Sequence, residues 1–128
     1  MVRLFMAEDD SLLVHIYGNK FRTSGFDISF AMDGEEAISK LKNMEIKPQL
    51  VLLDGQMPRK SGFEVIEEMK NDVDLKSIPV VFLTNMYSPE DEKKGQSLGV
   101  ISYLIKSQYI PSEIVDKVKE ICEKNNIK

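Results

Sequence analysis

Acidic residues stand directly after two of the most apolar stretches of this chain. Glu8 and Asp9 follow the run Val2–Ala7, and Asp54 follows the run Leu50–Leu53. A carboxylate can act as a nucleophile, can hold a hard cation through its oxygens, or can simply open a turn. The choice depends on whether these acids come together when the chain folds.

Two further polar residues end apolar runs later in the chain. Thr84 closes the stretch that starts at Pro79, and Lys106 follows Val100–Ile105. A lysine ammonium suits a phosphate oxygen, and a threonine hydroxyl can donate a hydrogen bond to one. Together with the acids they describe phosphoryl transfer onto a carboxylate, in which Asp54 attacks and the positive charges neutralise the transferring group. The alternative is a set of separate surface salt bridges.

The apolar runs that deliver these residues predict five β-strands. The runs that begin at Leu50 and Pro79 are continuous, which is typical of central parallel strands that are covered on both faces. The run Phe26–Phe30 alternates strictly and is expected at a sheet edge. The predicted strands are Val2–Ala7, Phe26–Phe30, Leu50–Asp54, Pro79–Thr84 and Val100–Ile105.

A helical pattern follows each predicted strand. The first carries apolar residues from Leu12 to Phe21, and the last begins at Pro111 although Ile110 is a poor capping residue. Capping boxes are expected at Asp33–Glu36 and Ser61–Glu64. The helix from Pro89 to about Gly99 has only Leu98 as a strongly apolar residue, so we expect it to be the least firmly anchored.

Five repeats of strand and helix predict one α/β domain over residues 1–128, with three layers and a central five-stranded parallel sheet. The carboxyl ends of parallel strands meet at the same edge of a sheet. We therefore expect one cluster of polar residues there. Three carboxylates close together need a compensating cation, and oxygen ligands favour Mg²⁺ or the similar Mn²⁺. The expected members are Glu8, Asp9, Asp54, Thr84 and Lys106.

Composition narrows the function classes. The chain has 128 residues and a formal net charge of −4 without a basic stripe, so direct nucleic-acid binding is not expected. A single cysteine, Cys122, fits a reducing compartment, and we predict neither a signal peptide nor a membrane span. Cytoplasmic localisation is the expectation. His15 is the only histidine, and its helical position predicts a solvated surface residue.

With these motifs the chain resembles the receiver domain of two-component response regulators, in particular the CheY-like single-domain kind. The resemblance covers essentially the whole length. It depends on an acidic pair after the first strand, on Asp54 followed by Met57-Pro58, and on Thr84 and Lys106 after the last two strands. It implies a flavodoxin-like fold with strand order 2-1-3-4-5.

The resemblance also implies roles for individual residues. Asp54 is similar to the phosphoacceptor, and Glu8 with Asp9 to the pair that holds Mg²⁺, while Asp10 lies outside that pair. The backbone carbonyl of Gln56 is implied as a further metal ligand. Thr84 is similar to the residue that moves toward the phosphoryl group, and Tyr103 to the aromatic that turns inward behind it.

The function implied is a phosphorylation-controlled switch rather than an enzyme with a separate substrate. A sensor histidine kinase or phosphotransfer protein would supply the phosphoryl group. The surface of the fourth helix, fifth strand and fifth helix would then change its affinity for a downstream protein. The sequence leaves open which proteins these are, and whether phosphorylation drives homodimer formation.

Two departures from the family pattern keep an alternative open. Ser107 follows Lys106 where the family usually has proline, and Asn85 follows Thr84 where a small residue is common. They motivate a docking module that keeps the receiver fold but works without phosphorylation. Gln56 and Met86 occupy variable positions that by resemblance influence phosphate lifetime. A nucleotide- or flavin-binding enzyme fits less well, because acids rather than a glycine-rich loop follow the first strand.

Overall fold

The computed structural model of the protein describes residues 1–85 and 87–128. Within them a five-stranded parallel sheet has the order β2-β1-β3-β4-β5, which confirms the predicted fold and the edge position of the alternating strand. The strands are β1 (Arg3–Ala7), β2 (Asp27–Ala31), β3 (Leu50–Leu53), β4 (Val80–Thr84) and β5 (Ser102–Ile105).

A helix follows each strand, and each predicted helix is present. They are α1 (Ser11–Thr23), α2 (Gly34–Asn43), α3 (Gly62–Lys70), α4 (Pro89–Ser97) and α5 (Pro111–Lys124). A short 3-10 turn, Lys106–Gln108, joins β5 to α5. None of the helices in the described ranges combines the length and apolar composition that a membrane crossing requires.

The strand register decides which polar residues become neighbours. Ala7 at the end of β1 is paired with Leu53 at the end of β3 and with Ala31 at the end of β2. The next residues along the chain, Glu8 and Asp54, therefore leave the sheet side by side. Thr84 is paired with Ile105 on the other flank, which places it beside the residue that precedes Lys106.

Two apolar layers cover the sheet, because alternate side chains of each strand point to opposite faces. All four residues of β3 are buried, as expected for a strand covered on both sides. One layer packs α1 and α5 against one face, with Leu4, Met6, Phe21, Leu52, Ile114 and Val118 among its members. The other packs α2 and α3 against the opposite face, with Phe5, Leu41, Leu53, Ile66, Met69 and Phe82.

Several local predictions need correction. Leu12 was expected in the core stripe of α1, but it is 65% exposed because it lies off the helix face formed by Leu13, Tyr17 and Phe21, which packs on the core. The capping box at α2 is incomplete: Asp33 accepts from the Glu36 N–H, but the Glu36 carboxylate accepts from Met32 instead of Asp33. Leu75, which lies outside every predicted strand and helix, is fully buried.

Other local expectations agree with the structure. The capping box of Ser61 and Glu64 is complete, and His15 is exposed. The start of α5 tolerates Ile110 because the Glu113 carboxylate accepts a hydrogen bond from the Ile110 N–H at 2.9 Å. Helix α4 buries only Gly95, whereas each other α-helix buries at least three residues, which agrees with its predicted weak anchoring.

Candidate functional site

Three carboxylates meet at the carboxyl edge of the sheet. Oxygens of Glu8, Asp9 and Asp54 all lie within 4.8 Å of one another. Glu8 and Asp54 are 2% and 5% exposed, whereas Asp9 faces solvent. The sheet register brings Glu8 and Asp54 together, and the turn into α1 adds Asp9. The structure therefore brings the predicted acids into one cluster, here called the acidic cluster.

Lys106 reaches this cluster from the end of β5. Its ammonium donates to Asp54 Oδ2 at 3.0 Å and to Glu8 Oε1 in a shorter contact. Lys106 is only 7% exposed, so these contacts lie in a poorly solvated place where charges interact strongly. Three carboxylates against one ammonium leave a formal charge of −2 at the cluster.

Burial and ion pairing shift the pKa values of Glu8 and Lys106 in opposite directions. Burial raises the pKa of Glu8, and the hydrogen bond and charge of Lys106 offset only part of this rise. For Lys106, burial disfavours the charged form, but the Glu8 hydrogen bond and the charges of Asp54 and Glu8 outweigh it and raise its pKa. Lys106 therefore stays protonated, whereas burial disfavours the ionised form of Glu8.

Asp10 has a separate role at the start of α1. Its Oδ1 accepts hydrogen bonds from the Leu12 and Leu13 N–H groups at 2.9 and 3.3 Å, so it is the N-cap of the helix. Its own N–H donates to Glu8 Oε2 at 3.1 Å. The backbone of the capping turn thus holds the Glu8 carboxylate, while the Asp10 carboxylate points to the helix.

A backbone N–H group in the segment after β3 binds Oδ1 of Asp54, the oxygen that Lys106 does not contact. The Gln56 N–H donates to Asp54 Oδ1 at 3.0 Å, and Oδ2 takes the Lys106 bond described above. The Asp54 carboxylate is therefore fixed at both oxygens, and each keeps a lone pair for another partner. Gln56 itself is exposed, so the segment passes along the rim of the acidic cluster.

Thr84 and Tyr103 lie on the neighbouring strands β4 and β5. Thr84 ends β4 and is 5% exposed. Tyr103 on β5 is half-buried, with its ring 6.0 Å from the Phe82 ring and 6.3 Å from the Tyr87 ring, both edge-on. Burial and the charge of Asp91 raise the pKa of the Tyr103 hydroxyl. Tyr103 therefore lies between the sheet and the segment that leads to α4.

The two departures from the family pattern leave this site assembled. Lys106 contacts both carboxylates although Ser107 follows it and continues into the 3-10 turn. Asn85 is exposed. Met86, which the sequence interpretation placed near the site, lies outside the described residues.

One contact near the site was not expected from the sequence. Arg59 Nη1 lies 2.8 Å from Asp33 Oδ2, which joins the segment after β3 to the start of α2. The two residues are 26 positions apart, and nothing in the local pattern of either segment indicates that they pair. Asp33 was recognised only as a helix cap.

The donor set of the cluster fits a hard divalent cation. It contains carboxylate oxygens from three residues, and its formal charge of −2 equals in magnitude the charge of one such ion. Oxygen-only ligand sets of this kind are typical of Mg²⁺ and Mn²⁺. Glu8, Asp9 and Asp54 are the side chains that would hold it.

Comparisons with known proteins agree on one family. A model of the response regulator receiver domain matches residues 4–119. The gliding motility regulatory protein of Myxococcus xanthus is 32% identical over 107 residues, which make up 84% of this chain and 14% of that protein. The chain spans between 14% and 58% of the length of such curated relatives.

Solved structures of response regulators are also similar to this chain. The phosphorylated cyanobacterial phytochrome response regulator RcpA is 31% identical with a TM-score of 0.81, covering 95% of this chain and 91% of that one. The Mn²⁺-bound form of response regulator Rcp1 is 29% identical with a TM-score of 0.80, covering 95% and 92%.

Proposed function

Since this chain belongs to the response regulator receiver domain family, we propose that it is a phosphorylation-controlled switch whose phosphoacceptor is Asp54. Receiver domains are signalling switches rather than enzymes that turn over a separate substrate. The observation that carries the proposal is the acidic cluster with Lys106 in contact with both buried carboxylates. A set of unrelated surface salt bridges would not bury these charges together at one sheet edge.

A divalent cation at the acidic cluster is part of this proposal. Glu8, Asp9 and Asp54 would hold it, and the backbone carbonyl of Gln56 would be a further ligand. When bound, Mg²⁺ neutralises charge on the transferring phosphoryl group. The Mn²⁺-bound form of the relative Rcp1 supports this choice of ion.

The residues of the chain then divide the transfer between them. An oxygen of Asp54 attacks phosphorus, and a new P–O bond forms as the bond from phosphorus to the donor breaks. The electron pair of that bond leaves with the donor, which is the imidazole nitrogen of a phosphohistidine or the acetate of acetyl phosphate. Lys106 stabilises the charge on the phosphoryl oxygens, and Thr84 donates a hydrogen bond to one of them.

The new contacts to Thr84 and Lys106 would favour one of two conformations of the surface formed by α4, β5 and α5, here called the output surface. Two features support the choice of this surface. Helix α4 buries only Gly95, so little packing opposes its displacement. Tyr103 is half-buried between the Phe82 and Tyr87 rings, where it can follow a movement of Thr84.

The partners proposed are a histidine kinase or phosphotransfer protein upstream and a protein target downstream. The curated relatives are longer than this chain, and we propose these partners for the receiver domain itself. If phosphorylation drives dimer formation, the dimer would use the output surface. We also propose that the protein works in the cytoplasm.

Intact-mass measurement after incubation with Mg²⁺ and acetyl phosphate tests the phosphoacceptor. We expect one added phosphoryl group on the parent protein, and none on Asp54→Asn or when a chelator removes the metal. Asp116→Asn, on the exposed side of α5, is the matched control and should react like the parent. If no condition adds a phosphoryl group and Mg²⁺ does not bind, the phosphorylation-independent docking module is the better proposal.

Hydrogen exchange tests the output surface. A stable phosphoryl mimic such as beryllofluoride should change the exchange of amides in α4 and leave those of α2 unchanged. An unaltered exchange pattern in α4 with the mimic bound would rule out this surface while leaving Asp54 as the phosphoacceptor.

A further inference from the structure

The segment of residues 55–61, here called the site loop, connects Asp54 to α3 and carries Gln56. Its base is closed by a hydrogen bond from the Gly62 N–H to the Gly55 carbonyl at 3.2 Å. Near the base, the Gln56 N–H donates to Asp54 Oδ1 at 3.0 Å. The position of Gln56 therefore depends on how the remainder of the loop is held.

The tip of the site loop is strained. The Lys60 N–H donates to the Pro58 carbonyl at 2.7 Å, and the residue between them, Arg59, has a φ of 68°. A three-residue turn with a positive central φ is rare for a residue with a side chain. Such a conformation persists only where the surroundings hold it, and it often occurs beside functional sites.

An ion pair to the neighbouring helix holds this tip. Arg59 Nη1 lies 2.8 Å from Asp33 Oδ2, while Asp33 Oδ1 accepts from the Glu36 N–H at the start of α2. Exposed ion pairs contribute little because two mobile side chains lose freedom. Here the Arg59 side chain is 65% exposed, but the Asp33 side chain is only 11% exposed and is already fixed as the helix cap, so only Arg59 must be ordered.

The backbone of the loop also lies directly on α2. A Cβ atom on Gly34 would be 2.0 Å from the carbonyl oxygen of Lys60 and 2.7 Å from its carbonyl carbon. Only glycine permits this approach at the first residue of α2. Arg59 and Lys60 thus contact the helix start through a side chain and through the backbone, at adjacent positions.

We propose that Asp33 and Arg59 are positioning residues that hold the site loop in the conformation presenting Gln56 to the acidic cluster. The inference rests on the proposed role of the Gln56 carbonyl as a metal ligand. Neither residue touches the carboxylates of the cluster. They act through the loop backbone, because the tip can relax its φ once the ion pair is lost, and the Gln56 hydrogen bond to Asp54 then weakens.

Two variants remove the ion pair in different ways. Asp33→Asn keeps an acceptor for the Glu36 N–H, since asparagine caps helices as well as aspartate does, but it loses the charge. Arg59→Leu keeps an aliphatic stem and loses the guanidinium. The control is Lys60→Gln, which removes an ion pair to Glu68 of α3 from the same loop without affecting the contact with Asp33.

Two readouts separate positioning from general destabilisation. The first is hydrogen exchange of the Gln56 amide in the metal-free protein, and the second is the Kd for Mg²⁺ by calorimetry. We expect Gln56 exchange to be about tenfold faster and Mg²⁺ binding about tenfold weaker in both variants, as is typical when partners behind a metal ligand are lost. Lys60→Gln should stay within about twofold of the parent, and Arg59→Lys should recover part of the loss.

Two results would overturn the proposed positioning role of Asp33 and Arg59. If Gln56 exchange is unchanged in Asp33→Asn and Arg59→Leu, the ion pair does not position the loop. If core amides accelerate by the same factor, the effect is a general loss of stability and not positioning. A parent protein that does not bind Mg²⁺ would refute the metal site of the proposed function, whereas the exchange result would still decide the role of Asp33 and Arg59.

Discussion

Replacing Lys106 with methionine tests whether its ammonium group offsets the negative charge of the buried carboxylates Glu8 and Asp54. Methionine keeps most of the aliphatic stem, so the packing loss is small and the change is mainly the lost ammonium. Two carboxylates that are 2% and 5% exposed, Glu8 and Asp54, would then lose the cation that pairs with both of them in the described part of the chain. Breaking a buried pair in this way costs about 3–5 kcal/mol of the free energy of unfolding.

Urea denaturation followed by circular dichroism at about pH 7.5 without metal would measure this loss. The deficit should shrink at lower pH, because protonation of a carboxyl group removes the uncompensated charge. Mg²⁺ should stabilise the variant more than the parent, since a site with one positive charge fewer binds the cation more strongly. Lys117→Met is the control, because Lys117 and Glu120 form an exposed pair 3.7 Å apart and such pairs contribute about 0.5 kcal/mol.

The result that would refute this reasoning is specific. A loss below about 1 kcal/mol that does not change with pH or Mg²⁺ would mean that the carboxylates are compensated in another way. Lys106 would then be a packing residue and not the cation that offsets the charge of Glu8 and Asp54.

Three further predictions concern single residues. Asp10→Ala should cost about 1 kcal/mol in urea denaturation through loss of the α1 cap, with the Mg²⁺ affinity unchanged in calorimetry. Gly95→Ala should raise the free energy of unfolding by about 0.5–1 kcal/mol and slow exchange in α4, because its Cβ would meet Phe82 and Val100 at an ordinary 3.4–3.5 Å. Folding raises the pKa of Glu8 above 4.5, so the folded state binds more protons than the unfolded state just above that pH. The free energy of unfolding should therefore fall as pH rises through this range. Glu8→Gln should remove this part of the decline in urea denaturation measured across pH.

The order of strands and helices was predictable because it follows from local patterns. Continuous apolar runs identified the buried strands, and the alternation of Phe26–Phe30 identified the edge. The boundaries differ from the prediction by one or two residues at several ends. Leu12 was placed wrongly because the apolar residues of α1 cover more than one face of the helix. The sequence does not show that the core covers the face of Leu13, Tyr17 and Phe21 and leaves Leu12 exposed.

The candidate site was predictable for a related reason. Parallel strands place all their carboxyl ends at one edge, so residues that follow separate strands could be assigned to one cluster without coordinates. The sequence by itself therefore determined which residues could meet: Glu8, Asp9, Asp54, Thr84 and Lys106.

Only the tertiary structure decided how these residues are paired. The register of β1 against β3 sets Glu8 beside Asp54, and Lys106 then bonds to both. The contact of Arg59 with Asp33 also appeared only in the folded chain. It joins two loops far apart in sequence, and its partner is selected by the packing of α2 against the site loop. Periodicity reports which face of an element is buried, whereas a pair of side chains on different elements depends on the three-dimensional distance between them.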